Sequence, residues 1–302
     1  MSFALVFAGQ GTQHAAMLPW LREDAHVRSM CARLRIDDWR AAAADAEWTA
    51  RNANAQTLLT GLALAAWHQV AGDLPPPAAV AGYSVGEVAA FSAAGVYGAE
   101  TALDLARERA AAMDRCAANA PGGLLAVSVP SCKMIDDTCR RTGLAVAIRN
   151  GKGAFVLGGP EPALTLGEQA LSALGARCTR LRIGVASHTP WMREAAQDFE
   201  RTVSRVPFER PRVALFSNVA DRIRDAGSAR QALADQIAAT VRWDECMDNL
   251  HARQVRCVLE VGPGSALARM WNERYPDVPA RSCDEFRSAA GVARWVTEAG
   301  SP

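Results

Sequence analysis

Ser84 stands in Gly82-Tyr83-Ser84-Val85-Gly86, between an apolar run (77–81) with the character of a buried strand and a small-residue segment (87–94) with the character of a helix. Strand, tight turn and helix in that order form the setting of a nucleophile elbow. Glycines two before and two after the serine let the chain turn sharply and let helix and strand pack closely. The hydroxyl is then left exposed at a helix N-terminus, where it could attack an acyl group. Read from the motif alone, the alternative is a plain structural turn.

A serine nucleophile needs a base, and the chain has five histidines. His188 lies in Val185-Ala186-Ser187-His188-Thr189-Pro190, after an expected strand and before an expected helix that Thr189 would cap and Pro190 would begin. The bland alternative is a histidine that merely precedes a capped helix. His14, His26, His68 and His251 have no comparable setting. Candidate acids between serine and histidine, such as Asp104, Asp136, Asp137 and Glu161, fall in helical segments whose polar faces hold them in solvent. A Ser84–His188 dyad with its imidazole oriented by a backbone carbonyl therefore fits better than a full triad.

Arg109 falls at i,i+4 spacing with Leu105 and Met113, on the apolar stripe of a helix expected over 99–118. A buried guanidinium calls for an anion and suits a carboxylate held bidentately. That anion is either an internal acid or a carboxylate carried by the acyl group. Gly9-Gln10-Gly11 follows a first strand (3–7), and His14 occupies the place of the third glycine of a dinucleotide fingerprint. Such a loop can instead offer a backbone N–H to an oxyanion, beside the N–H of Val85. Gly262-Pro263-Gly264 reads as a tight turn.

The elements that must position these residues fall in two groups. The first strand, an Ala-rich helical stretch to about residue 70, the elbow strand with its helix, and the 99–118 helix belong to one α/β unit. Between about 121 and 184 the order becomes strand (124–129), helix (131–142), strand (144–148), strand (154–157), helix (161–174), strand (177–183). This β-α-β-β-α-β order is that of a ferredoxin-like unit, here inserted into the larger unit. The larger unit resumes with a helix (190–204) and strands at 213–216 and 258–261.

The 302 residues suffice for a full-sized core, and a net charge of +1 gives no electrostatic reason to expect nucleic acid as a partner. The apolar stretches are strand-sized or broken by charges, and residues 1–8 lack the basic start and apolar length of a signal peptide, so no membrane association and a cytoplasmic setting are expected. The eight cysteines are scattered without a C-x-x-C pair, and no histidine stands at zinc-ligand spacing, so reduced thiols and no metal are expected.

Phe7-Ala8-Gly9-Gln10-Gly11-Thr12-Gln13, the GYSVGE run, Arg109 twenty-five residues beyond the serine, Ser187-His188 and Glu260-Val261-Gly262-Pro263-Gly264 together resemble the malonyl-CoA:acyl carrier protein transacylase family. The resemblance runs from residue 3 to about residue 270. It implies an α/β-hydrolase-like core with a parallel sheet (1–120 and 187–302) and an inserted ferredoxin-like subdomain (121–186). It also implies Ser84 as the acylated nucleophile, His188 as base, Arg109 on the malonyl carboxylate, and Gln10 and Val85 as oxyanion donors. Gln236 falls where the family orients its histidine with a main-chain carbonyl, and Asn150 at a family pocket asparagine. The sequence departs from the usual pattern at Ala8, Tyr83 and Val85, where proline, histidine and leucine are common.

Met17 to Leu21 (MLPWL), Asp37 to Arg40 (DDWR), GYSVGE, Ser187 to Met192 (SHTPWM), Val241 to Met247 (VRWDECM) and Asp284 to Ser288 (DEFRS) look most like the acyltransferase (epsilon) subunit of malonate decarboxylase. The implied reaction is ping-pong transfer of malonyl from malonyl-CoA to the phosphopantetheine-type arm of an acyl carrier protein, a delta-type carrier in that branch. No bound cofactor is implied. The alternatives are a transacylase of fatty acid or polyketide synthesis and a serine thioesterase or esterase. A catalytically silent docking module is a third, against which the joint presence of Ser84, His188 and Arg109 argues.

Overall fold

The computed structural model describes residues 1–129 and 131–301, so two positions of the expected domain spans lie outside it. The strands are β1 (Phe3–Phe7), β2 (Ala79–Gly82), β3 (Gly122–Ser128), β4 (Ala145–Gly151), β5 (Ala154–Pro160), β6 (Arg177–Arg180), β7 (Ala214–Phe216), β8 (Arg222–Ile223), β9 (Val241–Arg242), β10 (Cys257–Val261) and β11 (Ala280–Ser282). They form two sheets.

The larger sheet has the order β11-β10-β1-β2-β7-β8, parallel except where β8 runs antiparallel to β7. β1 and β10 are buried at every position because helices cover both faces, which is why they read as unbroken apolar runs. Their side chains alternate: Phe3, Leu5 and Phe7 enter one core, and Ala4 and Val6 the other. Parallel strands end their C-terminal ends on one side of the sheet, and the turns after β1, β2, β7 and β10 meet there.

The smaller sheet has the order β6-β3-β5-β4-β9, built over a separate apolar cluster containing Leu125, Leu157, Leu164 and Leu171. Among β3 to β6 each neighbouring pair is antiparallel, and the strands are interleaved in sequence with helices Cys132–Thr142 and Glu161–Ala173. β9, from the C-terminal part of the chain, joins parallel to β4 and ties the two units together.

Three details differ from the sequence expectation. The strand expected over 177–183 ends at Arg180; the Leu181 N–H still donates to the Leu124 carbonyl at 3.0 Å, and Leu181 and Ile183 line cavities. The helix expected over 190–204 is a 3-10 turn, Pro190–Met192, followed by a helix over Arg193–Val203. Thr189 stands at its N-cap position, but its hydroxyl donates to the Ala186 carbonyl at 2.5 Å, and the cap is left without a side-chain hydrogen bond.

Candidate active site

β2 delivers the chain to Ser84, whose φ of 55° lies in the left-handed region, and helix Gly86–Ala93 carries it away. The elbow closes only because of its two glycines. A Cβ on Gly82 would lie 2.2 Å from the Gly86 carbonyl carbon, and one on Gly86 would lie 2.2 Å from the Phe7 oxygen. Left-handed backbone at a non-glycine residue is strained and has to be held by its surroundings. Here the Ser84 N–H donates to Asn218 Oδ1 at 2.8 Å, and the Ser84 carbonyl accepts from Gln236 Nε2 at 2.5 Å.

Ser84 Oγ lies 2.7 Å from His188 Nε2. His188 is also left-handed, with φ of 62°, and its N–H is held by the Ile237 carbonyl at 2.8 Å. Nδ1 lies 2.6 Å from the Gln236 main-chain oxygen. A carbonyl only accepts, so Nδ1 carries the proton and Nε2 faces the serine as an acceptor. Burial, and next the charge of Arg109, push the His188 imidazole down to about 3, against the Gln236 carbonyl, which favours the protonated form.

Arg109 projects from helix Ala99–Asn119 and is 1% exposed. Its two terminal nitrogens donate to Gln56 Oε1 at 2.7 Å and Gln236 Oε1 at 2.6 Å, and its Nε has no partner. Burial pulls its guanidinium down to about 10, opposed by the Glu87 charge. Both hydrogen-bond acceptors are neutral amides, so the internal salt bridge that sequence left open is not what holds Arg109.

Ser84, His188, Arg109, Gln10 and Gln56 line one cavity of about 80 Å³. A larger one of about 520 Å³, lined by Gly9 to Gln13, Tyr83, Asn150 and Met270, shares Gln10, Tyr83, Val156, Leu181 and Ile183 with it. Asn150 therefore stands outside the small cavity, where its Oδ1 accepts from the Tyr83 hydroxyl at 3.0 Å. Among the described residues neither the Gln10 nor the Val85 amide donates a hydrogen bond. No group of three or more His, Cys, Asp or Glu among the described residues could hold a metal ion.

The pattern of the acyl transferase domain family matches residues 4–299. The chain belongs to that family. This acyl transferase is 31% identical over 289 residues to the malonyl CoA-acyl carrier protein transacylase of Mycobacterium tuberculosis, covering 92% of this chain and 95% of that one. It also superposes on the malonyl-CoA:acyl carrier protein transacylase of Xanthomonas oryzae pv. oryzae with a TM-score of 0.90 and 28% identity, covering 98% and 99% of the two chains. A malonyl-transacylase solved with a type II polyketide-synthase acyl carrier protein gives a TM-score of 0.91 at 25% identity, covering 97% and 99%.

Sequence reasoning passed over Glu87, Asn218 and Gln56, which complete the polar surroundings of the acyl transferase site. Glu87 is fully buried one turn beyond the nucleophile. Asn218 sits just past the C-terminal end of β7, on the side of the parallel sheet where sites form. That position is a readable signal once the 213–216 run is taken as a strand. The acids that were considered all lie elsewhere: Asp104 pairs with Arg33, Asp137 with Arg140 and Glu161 with Arg180.

Proposed function

We propose that this acyl transferase moves a malonyl group from malonyl-CoA, through an ester on Ser84, to the thiol of a carrier protein's phosphopantetheine-type arm. The observation that carries this reading is Arg109, a buried guanidinium without a carboxylate partner in the same small cavity as the Ser84–His188 pair. A buried charge of that kind is costly unless a ligand completes it, and a malonyl carboxylate would do so.

His188 Nε2 takes the Ser84 proton as Oγ attacks the thioester carbonyl, and the Gln10 and Val85 N–H groups receive the oxyanion. The C–S bond breaks, and CoA leaves as a thiol with the proton returned by His188. The carrier thiol then attacks the Ser84 ester, giving up its proton to His188. The serine regains it as the new thioester leaves. The acyl carboxylate also acts on the base. By neutralising Arg109 it lifts one of the two influences that hold His188 below the usual imidazole range.

Within the family we place this chain in the malonate decarboxylase branch, as the epsilon-type subunit serving a delta-type carrier. Three of the sequence runs behind that reading interact: Arg40 donates to the Met17, Leu18 and Leu21 carbonyls at 3.2, 3.0 and 3.2 Å, and Asp284 accepts from the Leu18 N–H. The names of the related proteins favour a second reading, a transacylase of fatty acid or polyketide synthesis. We read residues 1–120 and 187–302 as the α/β-hydrolase-like catalytic domain and 121–186 as a ferredoxin-like subdomain, a reading that the strand order β6-β3-β5-β4 supports. We read the setting as cytoplasmic; no helix among the described residues is long and apolar enough to cross a membrane.

Intact-protein mass spectrometry after brief incubation with malonyl-CoA tests the reaction. A malonyl adduct is expected on the wild type and not on Ser84→Ala, and a carrier protein should remove it. Free malonate without an adduct would instead identify a hydrolase. Presenting carriers with a phosphoribosyl-dephospho-CoA arm and with a phosphopantetheine arm separates the two branches.

A further inference from the structure

Two residues grip the backbone of the strained nucleophile with their side chains, and one buried carboxyl touches both residues. Glu87 Oε2 accepts from Gln236 Nε2 at 3.1 Å, the amide nitrogen that also holds the Ser84 carbonyl. Glu87 Oε1 accepts from the main-chain N–H of Asn218, whose side chain holds the Ser84 N–H and donates to the Gly82 carbonyl at 2.6 Å. Gln236 reaches further, because its Oε1 receives Arg109 and its main-chain oxygen receives His188. A side-chain amide can present oxygen and nitrogen either way round, so its neighbours decide which way it points. Arg109 only donates, and Glu87 as a carboxylate only accepts. The two lie on opposite ends of the Gln236 amide.

We propose that Glu87 is a positioning residue: its two oxygens hold the Gln236 side chain and the Asn218 main chain, the two residues that grip Ser84, and through Gln236 it aims Arg109 at the carboxylate of the acyl group. This rests on the malonyl-transfer reading above. Helix Gly86–Ala93 thus does more than follow the nucleophile; its first turn fixes the acceptor that Arg109 depends on. A carboxylate bonded directly to Arg109 would compete with the acyl carboxylate. Set one amide away, Glu87 orients the guanidinium and leaves it free to bind.

The titratable groups that face Glu87 are Arg109, Tyr97 and Cys246. Burial pushes the Glu87 carboxyl up to about 7, against hydrogen bonds from Asn218, Ser217 and Gln236 and the Arg109 charge. Burial also pushes the Tyr97 hydroxyl and the Cys246 thiol well up, and it pulls Arg109 down to about 10 and His188 down to about 3. Between pH 6 and 8 the group that changes charge is therefore Glu87. As pH falls through about 7, it gains a proton, and its hold on Gln236 weakens from that of a charged acceptor to that of a neutral one.

The decisive variant is Glu87→Gln, which keeps shape and burial. The Asn218 N–H is main chain and cannot turn away, so the new amide would put its oxygen there and its NH2 against Gln236 Nε2. Gln236 then turns over, presenting its NH2 to the donors of Arg109 and its oxygen to the Ser84 carbonyl it now grips, so both acyl groups react more slowly and malonyl loses its aimed arginine besides. With adduct formation on Ser84 as the readout, the malonyl-over-acetyl labelling ratio is expected to fall about tenfold, the size of one lost buried hydrogen bond to a charge, with the acetyl rate falling less. An unchanged ratio, including an equal loss for both acyl groups, would overturn the proposal. Should the variant fail to fold, the wild type decides: its ratio is expected to be several-fold lower at pH 6 than at pH 8, and a flat ratio overturns the proposal. A wild type with no malonyl adduct sinks the transferase reading itself, whereas a wild-type adduct with an unmoved ratio sinks the role of Glu87 alone.

Discussion

Leu18 and Ser84 are both non-glycine residues in the left-handed region, with φ of 48° and 55°, and in each the N–H and the C=O are held by side chains. At Leu18 the grips are charged: Asp284 takes the N–H and Arg40 the C=O. At Ser84 they are neutral: Asn218 takes the N–H and Gln236 the C=O. Strain of about 1 to 3 kcal/mol at each residue has to be matched by such contacts. Charged grips are the stronger, but a formal charge on Ser84 would act on His188 and on the acyl carboxylate at short range in a dry site. The loop at Leu18 has no chemistry to disturb. The difference teaches that the active site gives up grip strength so that no formal charge touches the backbone of the nucleophile, Glu87 and Arg109 both standing one amide away from it.

The two arginines sharpen the same contrast. Arg40 spends its donors on three carbonyls and lies over the Trp39 ring at 4.2 Å, whereas Arg109 has two amide acceptors and an unpartnered Nε. The largest effect is therefore expected from Arg109→Met. Malonyl labelling of Ser84 should fall on the order of 100- to 1,000-fold, the size of losing one partner of a buried ion pair, with acetyl labelling much less affected. Folding stability should change little, because the charge no longer desolvated offsets the Gln56 and Gln236 oxygens left without a donor. A large drop in the urea midpoint would show that Arg109 is structural after all.

Arg40→Met is expected to do the opposite. Hydrogen bonds to a charged donor are worth about 1.5 to 3 kcal/mol each, and water at this half-buried site replaces part of the three that are lost, so a stability loss of about 2 to 4 kcal/mol is expected. It should appear as a lower urea midpoint at unchanged slope. The malonyl-over-acetyl ratio of the folded fraction should stay at the wild-type value. A changed ratio would mean that the loop at Leu18 shapes the acyl pocket, and that the separation drawn between the two regions is false.

The elbow, the histidine and the arginine were legible in the sequence because each is announced locally. Ser84 has glycines at fixed offsets, His188 sits between a strand and a proline, and Arg109 interrupts an apolar helical stripe. The order of elements through 121–184 was legible for the same reason, since turns and periodicities there change every few residues. β8, β9 and β11 were not, being two or three residues long and too short to show a period. Glu87 was hidden for a different reason. An acid in the first turn of a helix is ordinary, favoured by the helix dipole and normally solvated. Its burial depends on β7 and the 217–218 turn arriving from more than a hundred residues away, with Gln236 following. The side chain of Gln236 was hidden likewise, because only its main-chain oxygen is implied by the family pattern.

The smallest expected effect comes from the outer edge of the charged grip. Asp284 Oδ2 accepts from His14 Nε2 and from the Gly264 N–H, both at 2.7 Å, and its Oδ1 accepts from the Leu18 N–H. His14 is nearly half exposed, so water can take its place on the carboxylate, and exposed pairs are worth about 0 to 1 kcal/mol. His14→Ala should therefore lower stability by less than about 1 kcal/mol, leaving the two main-chain bonds to Asp284 and the Leu18 conformation in place. Asp284→Ala removes all three bonds and should cost several times more. If the two variants lost equal stability, the grip on Leu18 would reside in the surface pair with His14, and the parallel with the enclosed grip on Ser84 would fail.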